Sequence, residues 1–303
     1  MNEKAKKLIL PIGLAVFAVT SSVLGFAGVL KQHSSSTAYC DWMKSLDDDM
    51  SLRNVNMPGS HDTMALYSIG DLAGQCQSLS LKDQLNIGVR FLDIRLKLDN
   101  DKLKAVHGIV DEKATFEQIT KVVESFLTKN SSEFIIMSIK EESEASNSSI
   151  GFENALKQYV NKDIYLKERT LPSKVGDVRG KIVLLSRYAN STIGLDAYAG
   201  WLESTSFVLP NNDIYVQDTF RITSKEQKQE EIVNCFNESG HALKINFLSA
   251  YRTDGFPPSY APSAAKDINP WIDQEINKYS DRGIVLYDFV TSDNMKVFFG
   301  GNK

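Results

Sequence analysis

Short apolar runs of strand length alternate with amphipathic helical segments along this 303-residue chain, and that alternation limits its possible folds more than any other feature. Phe134 to Ile139 reads FIIMSI, an almost continuous apolar run that suits a strand buried on both faces. Lys181 to Leu185, Ile214 to Gln217, Leu243 to Leu248 and Ile284 to Tyr287 repeat the pattern. Between such runs, Thr115 and Gln118 form a capping box ahead of Phe116, Ile119, Val123, Phe126 and Leu127 at helical spacing. Phe152 to Val160, Ser224 to Glu238 and Trp271 to Tyr279 read as further helices. Strands separated by helices pair in parallel, and roughly 250 residues of this pattern suit a closed α/β barrel better than an open sheet with a second domain. Groups at the strand C-termini of a barrel share one mouth. His61, Arg95, Lys140, Arg187, Asp218 and Asp288 all fall at or just past expected strand ends.

The stretch from Gly88 to Gly108 carries the densest chemistry. Leu92, Ile94, Leu96 and Leu98 alternate with Asp93, Arg95 and Lys97, which predicts a strand with one apolar and one charged face. Asn100 and Asp101 read as a turn, and Leu103 to Val106 returns as an extended segment that delivers His107 beside the charged face. Upstream, Ser51 to Met57 reads as extended and runs into Pro58-Gly59-Ser60-His61-Asp62-Thr63, a turn-rich break. Ser80 with Asp83 signals the start of a short helix before the strand at Val89.

The chain is 42% hydrophobic and 24% charged, ordinary for a globular domain spanning residues 39–303. Its formal charge is -4, and the portion beyond residue 38 is more acidic still, which argues against a nucleic-acid binder. Residues 1–38 carry Lys4, Lys6 and Lys7 followed by an uncharged apolar run from Leu8 to Leu30. This is a signal peptide or an uncleaved membrane anchor, with Ser36-Thr37-Ala38 and Gly25-Phe26-Ala27 as alternative cleavage patterns. Either way the remainder is expected outside the cell, secreted or anchored to the outer face of the membrane. Cys40, Cys76 and Cys235 show no CxxC spacing and no neighbouring histidine ligands, so a structural zinc is not expected; one disulfide with a leftover thiol and three unpaired thiols both fit. With no GxGxxG, no Walker loop and no repeat of fixed period, no nucleotide cofactor is expected.

Only three histidines lie beyond residue 38: His61, His107 and His241. The first two belong at the expected mouth, with Asp62 and Asp288 available to orient them and Arg95 between them. Two imidazoles and a guanidinium supply a general base, a general acid and a fixed positive charge. Phosphodiester cleavage needs this set: one group takes a proton from the attacking hydroxyl, one protonates the leaving oxygen, and a guanidinium fork stabilises the non-bridging oxygens.

Five ordered motifs then carry a resemblance. Asn56 to Thr63 (NMPGSHDT), Gly88 to Arg95 (GVRFLDIR), Val106-His107-Gly108, Ile135 to Lys140 (IIMSIK) and Gly180 to Arg187 (GKIVLLSR) together are similar to the bacterial phosphatidylinositol-specific phospholipase C pattern. The resemblance covers nearly all of the region after residue 38. It implies a distorted, incompletely closed (β/α)8 barrel that cleaves phosphatidylinositol to diacylglycerol and a cyclic inositol 1,2-phosphate. It also implies that His61, supported by Asp288, takes the proton of the inositol 2-hydroxyl, that His107, paired with Asp62, protonates the departing diacylglycerol oxygen, and that Arg95 holds the phosphate. By the same resemblance Lys140, Arg187 and Asp218 contact inositol hydroxyls. Phe220 stands where the pattern commonly has a tyrosine stacked on the inositol face, so stacking is expected without a hydroxyl hydrogen bond.

No metal or other cofactor is expected in the reaction, since Arg95 stands where calcium-dependent relatives place carboxylates. The expected partner is phosphatidylinositol in a membrane surface, approached by a monomer. Tyr251 to Tyr260 (YRTDGFPPSY) and the run Met64, Leu66, Tyr67 and Ile69 are candidates for a lipid-touching rim. Two alternative functions fit less well. A glycerophosphodiester phosphodiesterase on a related barrel would want a second carboxylate where Arg95 stands. A catalytically silent inositol-lipid binder would have no use for both His61 and His107.

Overall fold

A computed structural model of the chain describes residues 39–68, 74–252 and 260–300. The N-terminal apolar segment therefore lies outside the described residues, as do Ile69 and Phe256. The elements run β1 (Met57–Ser60), α1 (Leu81–Asn86), β2 (Phe91–Asp99), β3 (Lys102–His107), β4 (Val110–Thr115), α2 (Phe116–Lys129), β5 (Ile135–Ser146) and α3 (Phe152–Lys157). There follow β6 (Tyr165–Leu166), β7 (Ile182–Arg187), β8 (Leu195–Asp196), β9 (Ser206–Leu209), β10 (Ile214–Gln217), β11 (Arg221–Ile222) and α4 (Lys225–Asn237). The last are β12 (Leu243–Phe247), β13 (Tyr251–Arg252), α5 (Ala261–Glu275), β14 (Ile284–Tyr287) and α6 (Ser292–Phe298).

The main sheet has the order β6-β7-β5-β2-β1-β14-β12-β10-β9, with β3 paired to β2, β4 to β3, and β8 to β7. Its staves are parallel, while β9 runs antiparallel to β10, and β3 runs antiparallel to both β2 and β4. The ends of this order do not pair, so among the described residues the expected closed barrel is an open, curled mixed sheet. The physical reason is local: the strand neighbouring β7 is only the two-residue pieces β6 and β8, and the antiparallel β9 ends the other edge.

Period-two alternation sorts the side chains. Leu92, Ile94, Leu96, Ile135, Met137, Ile139 and Leu184 face outward into a core that includes Phe116, Ile119, Val123 and Phe126 of α2. Phe91, Ile136, Val183, Leu185, Val216, Ile245, Phe247 and Leu286 pack together on the concave face. The capping box at Thr115 and Gln118 starts α2 as the spacing predicts, and Ser80 caps α1. Below the sheet, Arg90 and Glu133 form a buried pair at 2.8 Å. Arg90 also donates to the carbonyls of Leu85, Val89 and Cys40, which ties the start of the described chain to β2. Burial draws the Arg90 guanidinium down to about 10.

Three local expectations need correction. Pro58, Gly59 and Ser60 belong to β1 and are not a turn. They pair with both β14 and β2, and Gly59 is needed there because a Cβ would sit 2.9 Å from Phe91 Cβ. Just before it, Ser51 to Met57 is not one extended piece, since Leu52–Asn54 form a 3-10 turn. The helix expected from Trp271 begins ten residues earlier at Ala261 and contains Pro270, followed by a 3-10 turn over Ile276–Lys278. Cys40, Cys76 and Cys235 are all unpaired thiols.

Candidate active site

Strand register assembles the site. On β2 the residues Phe91, Asp93 and Arg95 step up one face, from the apolar floor to the rim. Arg95 lies opposite Lys140 of β5, and Lys140 opposite Arg187 of β7, so three cations form one row across neighbouring parallel strands. Ser60 of β1 lies opposite Tyr287 of β14, which puts the next residues, His61 and Asp288, side by side. Asp218 follows β10 directly. His61, Arg95, His107, Lys140, Arg187, Asp218, Phe220 and Asp288 line one cavity of about 580 Å³, and Asp62 sits buried behind the histidines.

The contacts set protonation states. His61 Nδ1 lies 2.7 Å from Asp288 Oδ1, and Arg95 Nη2 lies 2.7 Å from His61 Nε2. A guanidinium only donates, so Nε2 carries the lone pair and Nδ1 the proton. Burial, and next the charge of Arg95, work against an imidazolium here, but the carboxylates of Asp288 and Asp93 together outweigh them, and His61 is left above the ordinary histidine value. His107 Nδ1 donates to the Gly74 carbonyl at 2.6 Å, while its Nε2 faces Asp62 Oδ2 at 3.5 Å. Burial raises Asp62, whose Oδ2 lies 3.4 Å from Arg95 Nε and takes no hydrogen bond among the described residues.

Asp93 is the hub of the cations. Its Oδ2 accepts from Arg95 Nε, Arg95 Nη2 and the Asp62 backbone N–H, and its Oδ1 accepts from Arg187 Nη1. Burial opposes its charge, yet Arg95 and Arg187 hold the carboxyl well below the usual carboxylate range. Glu142 pairs with Lys140 at 2.7 Å and approaches Arg95 at 3.7 Å. Burial, and next the charge of Arg95, draws Lys140 down.

Several participants carry no periodic signal in the sequence. Gln77 donates through Nε2 to the carbonyls of His61 and Tyr287, stapling the ends of β1 and β14, and accepts from the Val290 N–H. Trp201 places its ring 3.6 Å from the Arg187 guanidinium carbon and donates to Asp218 Oδ2 at 3.0 Å. Lys228, fully buried, donates to Gln217 Oε1 and the Thr219 carbonyl on either side of Asp218. Burial draws its ammonium down to about 8. Of the expected rim, Tyr251 and Tyr260 line the cavity and Phe220 packs on Tyr251 at 5.8 Å. Tyr67 is exposed, whereas Met64 is a core residue and does not belong to a rim.

A curled α/β sheet with two carboxylate-backed histidines around one guanidinium defines the class as one built for acid-base chemistry on an anionic group. Residues 55–188 match the family described as phosphatidylinositol-specific phospholipase C, X domain. Among curated proteins, the chain is 29% identical over 293 residues to the 1-phosphatidylinositol phosphodiesterase of Listeria monocytogenes, covering 90% of this chain and 88% of that one. It is 26% identical over 277 residues to the 1-phosphatidylinositol phosphodiesterase of Staphylococcus aureus strain Newman, covering 82% and 88%. Among solved structures, the phosphatidylinositol-specific phospholipase C of Listeria monocytogenes superposes with a TM-score of 0.70 at 26% identity, covering 88% of this chain and 99% of that one. A Staphylococcus aureus phosphatidylinositol-specific phospholipase C shares the fold with a TM-score of 0.75 at 22% identity, covering 87% and 99%.

Proposed function

We propose that the chain is a phosphatidylinositol-specific phospholipase C that cleaves phosphatidylinositol to diacylglycerol and inositol 1,2-cyclic phosphate. The observation that carries this reading is a pair of imidazoles around one guanidinium: His61 touches Arg95 and is backed by Asp288, and His107 faces Asp62, which also approaches Arg95. His61 Nε2 takes the proton of the inositol 2-hydroxyl, and Asp288 steadies the resulting imidazolium. The 2-oxygen attacks phosphorus as the bond to the glycerol oxygen breaks. His107, paired with Asp62, gives that oxygen its proton.

In the resting site Arg95 occupies the lone pair of the base. An arriving phosphate competes for the guanidinium, and as Arg95 turns to the phosphate, Nε2 is freed for the hydroxyl. Lys140, Arg187 and Asp218 then meet the inositol hydroxyls, with Trp201 holding Arg187 and Asp218 in place and Phe220 against the ring. The reaction runs without a metal ion: both Asp93 oxygens are committed to arginines, which leaves none for a calcium ion of the kind a glycerophosphodiesterase would use.

The curled sheet is a distorted, incompletely closed (β/α)8 barrel in this reading. The enzyme acts as an exported monomer at a membrane surface, secreted or held by its N-terminal apolar segment, with Tyr67, Tyr251 and Tyr260 at the lipid-facing rim. Phosphorus NMR of the water-soluble product tests the proposal. A cyclic phosphate released from phosphatidylinositol vesicles is expected, and inositol 1-phosphate formed with no cyclic precursor, or no cleavage at all, would refute it.

A further inference from the structure

Cys76 lines the cavity and takes no part in the reaction proposed above. Its Sγ, a carboxylate oxygen of Asp62 and a ring nitrogen of His107 lie within 4.8 Å of one another. Two further observations make this more than proximity. The Gly74 carbonyl fixes the proton of His107 on Nδ1, which turns the Nε2 lone pair toward Asp62 Oδ2, 3.5 Å away. Metal-binding histidines are oriented in this way, with the other ring nitrogen donating to a carbonyl or carboxylate. Asp62 is 1% exposed, and its Oδ2 lies 3.4 Å from Arg95 Nε but takes no hydrogen bond among the described residues.

We propose that Asp62, Cys76 and His107 form an inhibitory site for a thiophilic divalent cation, zinc in the first instance. One sulfur, one imidazole nitrogen and one carboxylate oxygen, with the cavity supplying a fourth position for water, is a ligand set that suits zinc. Calcium and magnesium, which demand many oxygens, do not fit it. On binding, the Cys76 S–H bond breaks as the sulfur-metal bond forms, and the proton leaves to solvent. No electron changes hands. The ion consumes the lone pair on which His107 must carry its proton, so occupancy and turnover exclude each other; this consequence, and only this, rests on the function proposed above.

Without metal the thiol is quiet. Burial first, and then the carboxylates of Asp288 and Asp62, push it well above the ordinary cysteine value, so it is a neutral thiol and not a nucleophile. The ion supplies the positive charge that the thiolate lacks. A second trio, His61, Cys76 and Asp288, is equally compact, but both nitrogens of His61 are engaged, Nδ1 by Asp288 and Nε2 by Arg95, so that ring offers no free lone pair.

The test uses the full chain, first stripped with chelator. Titration with cobalt should produce a thiolate-to-cobalt charge-transfer band in the near ultraviolet that is missing in Cys76→Ser. Zinc should inhibit turnover of a soluble inositol phosphodiester, and Cys76→Ser should weaken that inhibition by at least about 10-fold while basal activity stays unchanged. If the serine variant does not fold, Cys76→Thr serves in both measurements. Absence of the band in the wild type, or zinc inhibition undiminished by loss of the thiol, overturns the site. Because the band needs no turnover, a protein that shows it yet cleaves no phosphodiester supports the metal site while refuting the proposed function.

Discussion

Changing Arg95 to Lys keeps the charge and removes the fork, and the structure sets the size of the effect. Arg95 uses Nε and Nη2 on Asp93 Oδ2, at 3.3 and 3.1 Å, and Nη2 also reaches His61 Nε2 at 2.7 Å. A lysine offers one nitrogen in place of three. It can stay with Asp93 or turn to the phosphate, and it cannot give the phosphate two parallel hydrogen bonds. Losing one charge-assisted hydrogen bond in the transition state costs about 1.5–3 kcal/mol, which is roughly a 10- to 150-fold loss of rate. The buried Asp93 also loses part of its compensation, so the upper half of that range is expected. The assay is kcat on a soluble inositol phosphodiester, with circular dichroism to verify folding. A folded Arg95→Lys enzyme within threefold of wild type would show that a point charge suffices and would refute the role of the fork.

Replacing His61 or His107 by Ala should each lower turnover by roughly 100-fold or more with little effect on thermal unfolding, and near-normal turnover of purified His107→Ala would remove it from the role of acid. Because His61 must be neutral to accept a proton and lies above the ordinary histidine value, the acidic limb of kcat/KM should fall above about pH 6.5. Asp288→Asn removes the carboxylate that supports the imidazolium, so that limb should move to lower pH as the rate drops; an unmoved limb would assign it to another group. Activity should be undiminished in excess chelator, and loss that calcium restores would place a metal in the mechanism. Replacing Tyr251, Phe256 and Tyr260 together by Ser should weaken vesicle binding while sparing cleavage of a soluble substrate, whereas equal loss on both would make that segment structural.

The parts of the fold that were legible are those in which one short-range pattern decides. Ile214–Gln217 and Ile284–Tyr287 are strands with the bounds their apolar runs predict, and the capping box of α2 forms as its residues require. The failures occur where tertiary pairing overrides local preference. Pro58-Gly59-Ser60 has turn chemistry but is held as a strand between β2 and β14, where the close approach of Phe91 and Leu286 requires a glycine at position 59. The sheet opens because β6 and β8 are each two residues long, a length that no periodicity can announce. Helix α5 starts early because Pro262 falls in its first turn, where a proline costs no hydrogen bond.

The site divides along the same physical line. The polar side chains expected at strand ends are legible because residue type and strand position together single them out, and the structure brings His61, Arg95, His107, Lys140, Arg187, Asp218, Phe220 and Asp288 to one cavity. Residues that hold them are hidden, because Gln77, Trp201 and Lys228 act through loops and helices that touch the strand ends only after folding. Charge accounts for why such holders are needed. Arg95, Lys140 and Arg187 stand in one row of neighbouring strands and repel one another. Asp93, deep on the same face, binds two of them and Glu142 the third, so the row persists before any phosphate arrives. In the proposed reaction, substrate enters a site whose cations are already placed, and the reorganisation left to binding is the turn of one guanidinium from an imidazole to a phosphate.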